Sequence, residues 1–357
     1  MTDAGAEPGA AAQPALSAPA IEIARVGAAR WTSFHVFCPG DRDALLIQVI
    51  QPVVGEVWSE GLADRFFFIR YPEGGDHVRL RLRIAAQVDS APAVDRAFAL
   101  LGARCAEFQR SRRHAADERI SVVPATFELE IDRYGGPRKF PRALSFFALS
   151  SIAALRFVAQ WRSEPRARQL IEILTRLARQ VIAMARSVEE LRGLADHVAQ
   201  WRSHMAPIVA RADQMFEHKG PELTRRIREQ FLAAATPTAG QPGSLADHTD
   251  HARQLSAALE DLDPEPRWRA LGSQIHMAAN RLGLSPPEES YLSAILCRCL
   301  DALGDELADL MAAAAAVRPE PVGASDPDAL DAQVGAELHA LFGSVDRVSG
   351  AARRGAT

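Results

Sequence analysis

Apolar and polar residues alternate one by one at the end of the stretch RFFFIRYPEGGDHVRLRLRI. Val78, Leu80, Leu82 and Ile84 are separated by Arg79, Arg81 and Arg83, with His77 in front of them. A period of two belongs to a β-strand, whose successive side chains point to opposite faces. The spacing predicts one oily face and one face carrying three arginines and a histidine. RFFFIRY and the PEGGD turn complete a β-hairpin. WTSFHVFC, from Trp31, reads as an earlier strand, and DALLIQVIQPVVGEVW as a helix that stops near Pro52. A helical stretch runs from Ala91 to about Arg113. In TFELEIDRY, Phe127, Leu129 and Ile131 alternate with Glu128, Glu130 and Asp132, which predicts a fourth strand closed by the Gly135-Gly136 turn.

From Pro141 the period lengthens to three and four residues. Leu144, Phe147, Ile152, Leu155 and Val158 open the series, and Leu170, Ile173, Leu174, Leu177 and Ile182 continue it. TPTAGQPGSLADHTDH, from Thr236 to His251, reads as a loop. Two helices follow, one through RWRALGSQIHMAANRLG and one from Pro286 to about Ala316. The expected fold class is α+β: an N-terminal antiparallel-type sheet with a large helical C-terminal part. Residues 1–22 are expected to form a disordered Ala/Pro-rich tail, 23–316 a single catalytic domain, and 317–357 a Pro/Gly-rich tail with one short helix.

Composition narrows the function classes. The 357 residues carry a formal net charge of -4, so nothing favours general nucleic-acid binding, and any basic site must be local. The cysteines, Cys38, Cys105, Cys297 and Cys299, make no disulfide framework, which suits a reduced, cytoplasmic protein. The first residues lack the basic region of a secretory signal, and no uninterrupted apolar run is expected to span a membrane. Phosphate-binding, zinc-protease, nucleophile-elbow and dinucleotide motifs are absent. Cys297 and Cys299 point to different sides of a helix, and His248 and His251 fall in the polar loop. No metal or other cofactor is expected.

What remains is a set of charged residues on strands: Arg70, then His77, Arg79, Arg81 and Arg83, then Glu130, Asp132 and Arg133. Two readings stay open. One is a solvated sheet face with cross-strand ion pairs, each contributing under about 1 kcal/mol. The other is an anion site, since the guanidinium fork suits carboxylates and phosphates. Further along, His276 and Asn280 share a helix face. Ser285-Pro-Pro-Glu288 fits a capping box, which accounts for Ser285 without a functional role, and Tyr291 adjoins an apolar stripe.

Together, WTSFHVFCPGDRDALLIQVIQPVV, FFFIRYPEGGDHVRLRLRI, FELEIDRYGG and IHMAANRLG resemble, in this order, the thiopeptide-type bacteriocin biosynthesis domain. That domain is the glutamate-elimination part of class I lantibiotic dehydratases, and the resemblance runs from about Trp31 to about Leu303. It implies removal of glutamate from glutamylated Ser or Thr of a precursor peptide, leaving dehydroalanine or dehydrobutyrine. The matching residues are Arg70, Glu130, Arg133 and His276. Ser150-Ser151 departs from the acidic residue and serine that relatives carry. A second branch, the thiopeptide pyridine synthases, joins two dehydroalanines in a formal [4+2] aza-cycloaddition with loss of water and leader peptide. Its Ser and Tyr, six residues apart, match Ser285 and Tyr291. On that match the synthase is the preferred reading, with Tyr291, Ser285 and His276 moving protons and with Arg70, Arg79, Arg81, Arg83, Glu130 and Arg133 binding substrate. The elimination lyase and a non-catalytic peptide-binding module are the alternatives. The implied partner is a ribosomally made precursor with an acidic leader and a thiazole/dehydroalanine core; neither nucleic acid nor membrane is implied, and a homodimer is admitted.

Overall fold

The computed structural model describes residues 30–112, 119–199, 204–236, 245–316 and 327–343. The expected N-terminal tail and the outer parts of the C-terminal tail lie outside these residues. Four antiparallel strands, β1 (Trp31–Phe37), β2 (Ala63–Tyr71), β3 (His77–Ile84) and β4 (Ser121–Ala125), form one sheet in the order β2-β3-β1-β4. The hairpin register sets Phe67 opposite Arg81 and Phe68 opposite Leu80. Phe34, Phe66, Phe68, Leu80 and Leu82 are fully buried on one face, each contributing roughly 1.5–3 kcal/mol by leaving water.

The helices are α1 (Arg42–Leu45), α2 (Gln51–Ser59), α3 (Ser90–Ser111), α4 (Phe140–Trp161), α5 (Arg166–Met184), α6 (Val188–Ala195), α7 (Ala206–Ala234), α8 (Leu245–Ala258), α9 (Pro264–Arg281), α10 (Pro286–Leu303), α11 (Glu306–Ala316) and α12 (Pro327–Phe342). By length and apolar composition α4 is the one helix among the described residues that could cross a membrane, but most of it is buried inside the fold as its central helix. Helix α12 docks on the body: Val334, Leu338 and Phe342 are buried, and Phe342 meets Phe66.

Four sequence expectations need correction. Pro52 does not stop its helix. A π-helical turn, Leu46–Ile50, joins α1 to α2 without a break, and Pro52, just after that turn, is carried inside the helical run. The expected loop ending at His251 is helical from Leu245, where α8 begins, and His251 is buried. The helix expected to reach Ala316 breaks at Gly304, whose φ of 53° suits glycine, into α10 and α11. Finally, Thr126–Ile131 is not a strand. The ladder ends at Ala125, and the chain crosses the sheet face before a 3-10 turn at Asp132–Tyr134. The alternation still reports burial: Phe127, Leu129 and Ile131 pack on Trp31, Phe67, Tyr134 and Met277, while Glu128, Glu130 and Asp132 face solvent.

Candidate active site

Because β2 is a sheet edge, its outward backbone groups need partners other than a strand. Helices α4 and α9 supply them. Ser151 Oγ accepts from the Phe68 N–H at 3.2 Å, and Arg281 Nε donates to the Phe68 carbonyl at 2.9 Å. Asn280 closes a two-way pair with Arg70, accepting from its N–H at 2.9 Å and donating to its carbonyl at 2.8 Å. Arg281 Nη1 donates to Ser150 Oγ at 3.1 Å. The Ser-Ser pair and the Asn-Arg pair thus anchor the hairpin edge to the helical body.

The same contacts remove Arg70 from the arginine row. It lies on the opposite face of the sheet, buried, with its guanidinium on Asp43 at 2.5 Å and its Nε donating to the Arg281 carbonyl at 3.2 Å. Gly283, with φ of 85°, makes room: a Cβ there would sit 3.2 Å from Arg70 Cζ. Arg83 is also engaged, by Asp64 at 2.6 Å and by Asp331 of α12 at 3.6 Å. Arg79 lies flat over Tyr71, 3.5 Å from the ring centroid. The His35 and His77 rings lie beside it, tilted by 31° with centroids 4.9 Å apart. Burial, with repulsion from Arg79, His77 and Arg81, lowers His35 to about 4. The row is therefore not one uniform surface.

Arg81 is different. It is only 5% exposed, inserted between Phe67 (5.6 Å) and Phe127 (4.8 Å), and among the described residues its Nε and Nη1 have no hydrogen-bond partner. Among the described residues no carboxylate forms an ion pair with it, and burial, reinforced by Arg79 and only partly offset by Glu130 and Glu128, lowers it to about 10. Behind Phe67 lies a second buried cation, Arg281, 4.6 Å from the Phe147 ring, lowered to about 9 by burial and by the nearby Arg81. Its Nη2 is also unpartnered. Tyr134, edge-on to Phe147, is pushed up to about 12 by burial and keeps its proton. Two buried cations set in aromatic walls, with no ion-pair partner among the described residues, favour an anion beside them.

Next along the chain the 3-10 turn follows Glu130 and carries Arg133, the two paired at 3.0 Å, and Arg133 Nε donates to Ser273 Oγ of α9 at 2.9 Å. One turn further along the same helix face stands His276. Its Nδ1 lies 2.9 Å and 3.1 Å from the two carboxylate oxygens of Glu289. Glu289 is 2% exposed and also receives His197 Nε2 at 2.7 Å. Burial alone would raise the Glu289 carboxyl, but hydrogen bonds from His197 and His276 outweigh it and hold the group below the usual range. Neither Glu289 nor His197 stands out in the sequence: Glu289 follows the capping glutamate, and His197 lies 79 positions before His276, beyond any local spacing rule.

The structure thus gathers Arg81, Glu130, Arg133 and His276 on one side of the sheet and helix α9. It does not bring Ser285 or Tyr291 there. Ser285 caps α10, its N–H and hydroxyl both 3.0 Å from Glu288, which is itself forked by Arg166. Tyr291 lies two residues after Glu289, roughly 200° around the helix, on the side of Arg211 of α7. Cys105 and Cys299 are buried and pushed up to about 12, so neither is a ready thiolate. Among the described residues no group of three His, Cys, Asp or Glu side chains is arranged to hold a metal.

Among curated proteins none is significantly similar to this chain. The fold is shared with solved structures. The tRNA-dependent lantibiotic dehydratase MibB from Microbispora sp. 107891 matches at 20% identity and TM-score 0.55, over 78% of this chain and 28% of MibB. This chain therefore spans little more than a quarter of that protein. The pyridine synthase TbtD from thiomuracin biosynthesis matches at 17% identity and TM-score 0.53, over 77% of this chain and 98% of TbtD. TsrL matches at 17% identity and TM-score 0.49, over 81% and 99% of the two chains. The family model for the C-terminal region of lantibiotic biosynthesis dehydratases covers residues 31–300, which takes in all four strands, both buried cations and the His276–Glu289 pair. This chain belongs to that family.

Proposed function

We propose that this protein is a tailoring enzyme of ribosomal peptide maturation, and that it acts as a lyase eliminating glutamate from glutamylated Ser or Thr of a precursor peptide. The observation that carries the reading is Arg81, a buried guanidinium with two donors unsatisfied among the described residues, under the Phe127–Arg133 segment, whose Arg133 in turn bonds Ser273 on α9, the helix of His276. Elimination needs those parts. His276 takes the α-proton, the electron pair left on Cα forms the Cα=Cβ bond, and the Cβ–O bond breaks. Glutamate then leaves as a carboxylate that Arg81 and Arg133 receive. Charge develops on the leaving oxygen as the bond breaks, so cations held in an apolar surround stabilise the transition state more than the neutral ester. No redox step is involved.

The formal [4+2] aza-cycloaddition is the second reading, favoured by the six-residue Ser285/Tyr291 spacing and by the match over nearly the whole of TbtD. It asks those two residues to move a proton from amide nitrogen to oxygen, whereas Ser285 is engaged in its cap and Tyr291 faces α7. For that reason the lyase ranks first. The test is mass spectrometry of the purified protein with a synthetic precursor peptide carrying glutamyl-serine. Loss of glutamate with appearance of dehydroalanine supports the lyase, and an unchanged peptide overturns it.

A further inference from the structure

We propose that Glu289 and His197 are positioning residues that fix the tautomer of His276, so that Nδ1 carries the proton and Nε2 is the proton-accepting nitrogen of the ring. This rests on the reading of His276 as the group that takes the α-proton. The three side chains come from three separate elements. His276 is on α9, Glu289 on α10, and His197 just after α6. An ionised carboxylate only accepts hydrogen bonds, so a ring nitrogen within 3.1 Å of both its oxygens must be the donor. His197 fixes the carboxylate in turn, with Nε2 at 2.7 Å from Oε1 and its own Nδ1 3.1 Å from the Leu194 carbonyl.

The arrangement is costly unless it serves a purpose. Glu289 is 2% exposed, and among the described residues it has no arginine or lysine partner; both its oxygens are met by imidazoles. Arg133 reaches this side of α9 through Ser273, one turn before His276, and is itself paired with Glu130. A carboxylate behind an imidazole does two things for a proton abstraction. It selects the tautomer, and it stabilises the imidazolium formed when the proton arrives.

The tautomer is read on the full wild-type chain labelled with 15N-histidine, by the long-range ring couplings of each imidazole at a pH where the ring is neutral, with His276→Gln to assign the signal. Nδ1–H supports the proposal; Nε2–H overturns it. This readout needs no substrate, so it stands even if glutamate elimination is not observed. Kinetics add a second test. Glu289→Gln is expected to lower kcat by about 10- to 100-fold, with KM changed by less than about threefold, as for other groups that orient an imidazole. His197→Leu is expected to lose at least about fivefold more kcat than His197→Gln, which keeps a donor toward Glu289. An unchanged kcat in Glu289→Gln, or equal losses in the two His197 variants, overturns the positioning role.

Discussion

Replacing Arg81 by methionine is expected to stabilise the protein while damaging its activity. The guanidinium is 5% exposed and is lowered from 12.5 to about 10, chiefly by burial. Such a shift means that the fold disfavours the charged form by about 3 kcal/mol. Contact with the Phe127 ring, 4.8 Å away, returns about 1–2 kcal/mol of that. Methionine fills most of the volume and brings no charge, so a net gain of about 1–2 kcal/mol follows, as when other buried charges give way to apolar side chains. The sign can be checked with pH as well. The folded value lies below the unfolded one, so the penalty is present at neutral pH and is relieved only above about pH 10. Activity moves the other way. Each hydrogen bond from Arg81 to an anionic leaving group is worth roughly 1.5–3 kcal/mol, so its loss lowers kcat/KM by at least about tenfold. Urea titration and a mass-spectrometric time course read the two quantities on one preparation. A variant that is both less stable and less active makes Arg81 a structural strut, and one with full activity removes it from the anion site; either result refutes the reasoning.

Other expectations follow from single sites. His251 is 2% exposed and is lowered to about 4, chiefly by burial, so its contribution is complete above its unfolded value near 6.5 and fades below it. Urea titrations should show about 2 kcal/mol less stability at pH 5 than at pH 7 from this group, a loss that His251→Gln removes. Ser285→Ala should cost about 1 kcal/mol in the same assay through loss of the helix cap, and glutamate elimination should persist, because the hydroxyl contacts Glu288 and not the cleft. Tyr291→Phe should likewise leave elimination intact; if it abolishes the activity, the aza-cycloaddition reading regains the first place.

Alternation along the chain correctly marked which side of the backbone each residue occupies, but not burial by itself, since His77 and Arg81 on the polar side of β3 are buried too. It did not mark hydrogen bonding. Phe127, Leu129 and Ile131 are inward-facing as expected, yet they cross the sheet face instead of joining the ladder. The row from His77 to Arg83 has the same lesson on the polar side. All four side chains share a face, but each ends in a different environment: His77 among aromatic rings, Arg79 on Tyr71, Arg81 buried without an acid, Arg83 on two aspartates. Those environments are made by segments far away in the chain, Phe127 after β4 and Asp331 in α12. His276, Glu130 and Arg133 stood out as charged or helix-face residues, the resemblance supplied the roles expected of them, and their convergence depends on how α9 packs. Glu289 and His197 were missed for the same reason: buried pairing between helices leaves no local spacing.

The central claim is that the cationic pocket receives a leaving carboxylate while His276 moves the proton. The most direct measurement offers the purified protein two synthetic precursors in one reaction, one bearing glutamylated serines and the other preformed dehydroalanines and thiazoles, and follows both by mass spectrometry. The account predicts loss of glutamate from the first and no change in the second. Release of leader peptide with a macrocyclic pyridine from the second, and an unchanged first precursor, would contradict it.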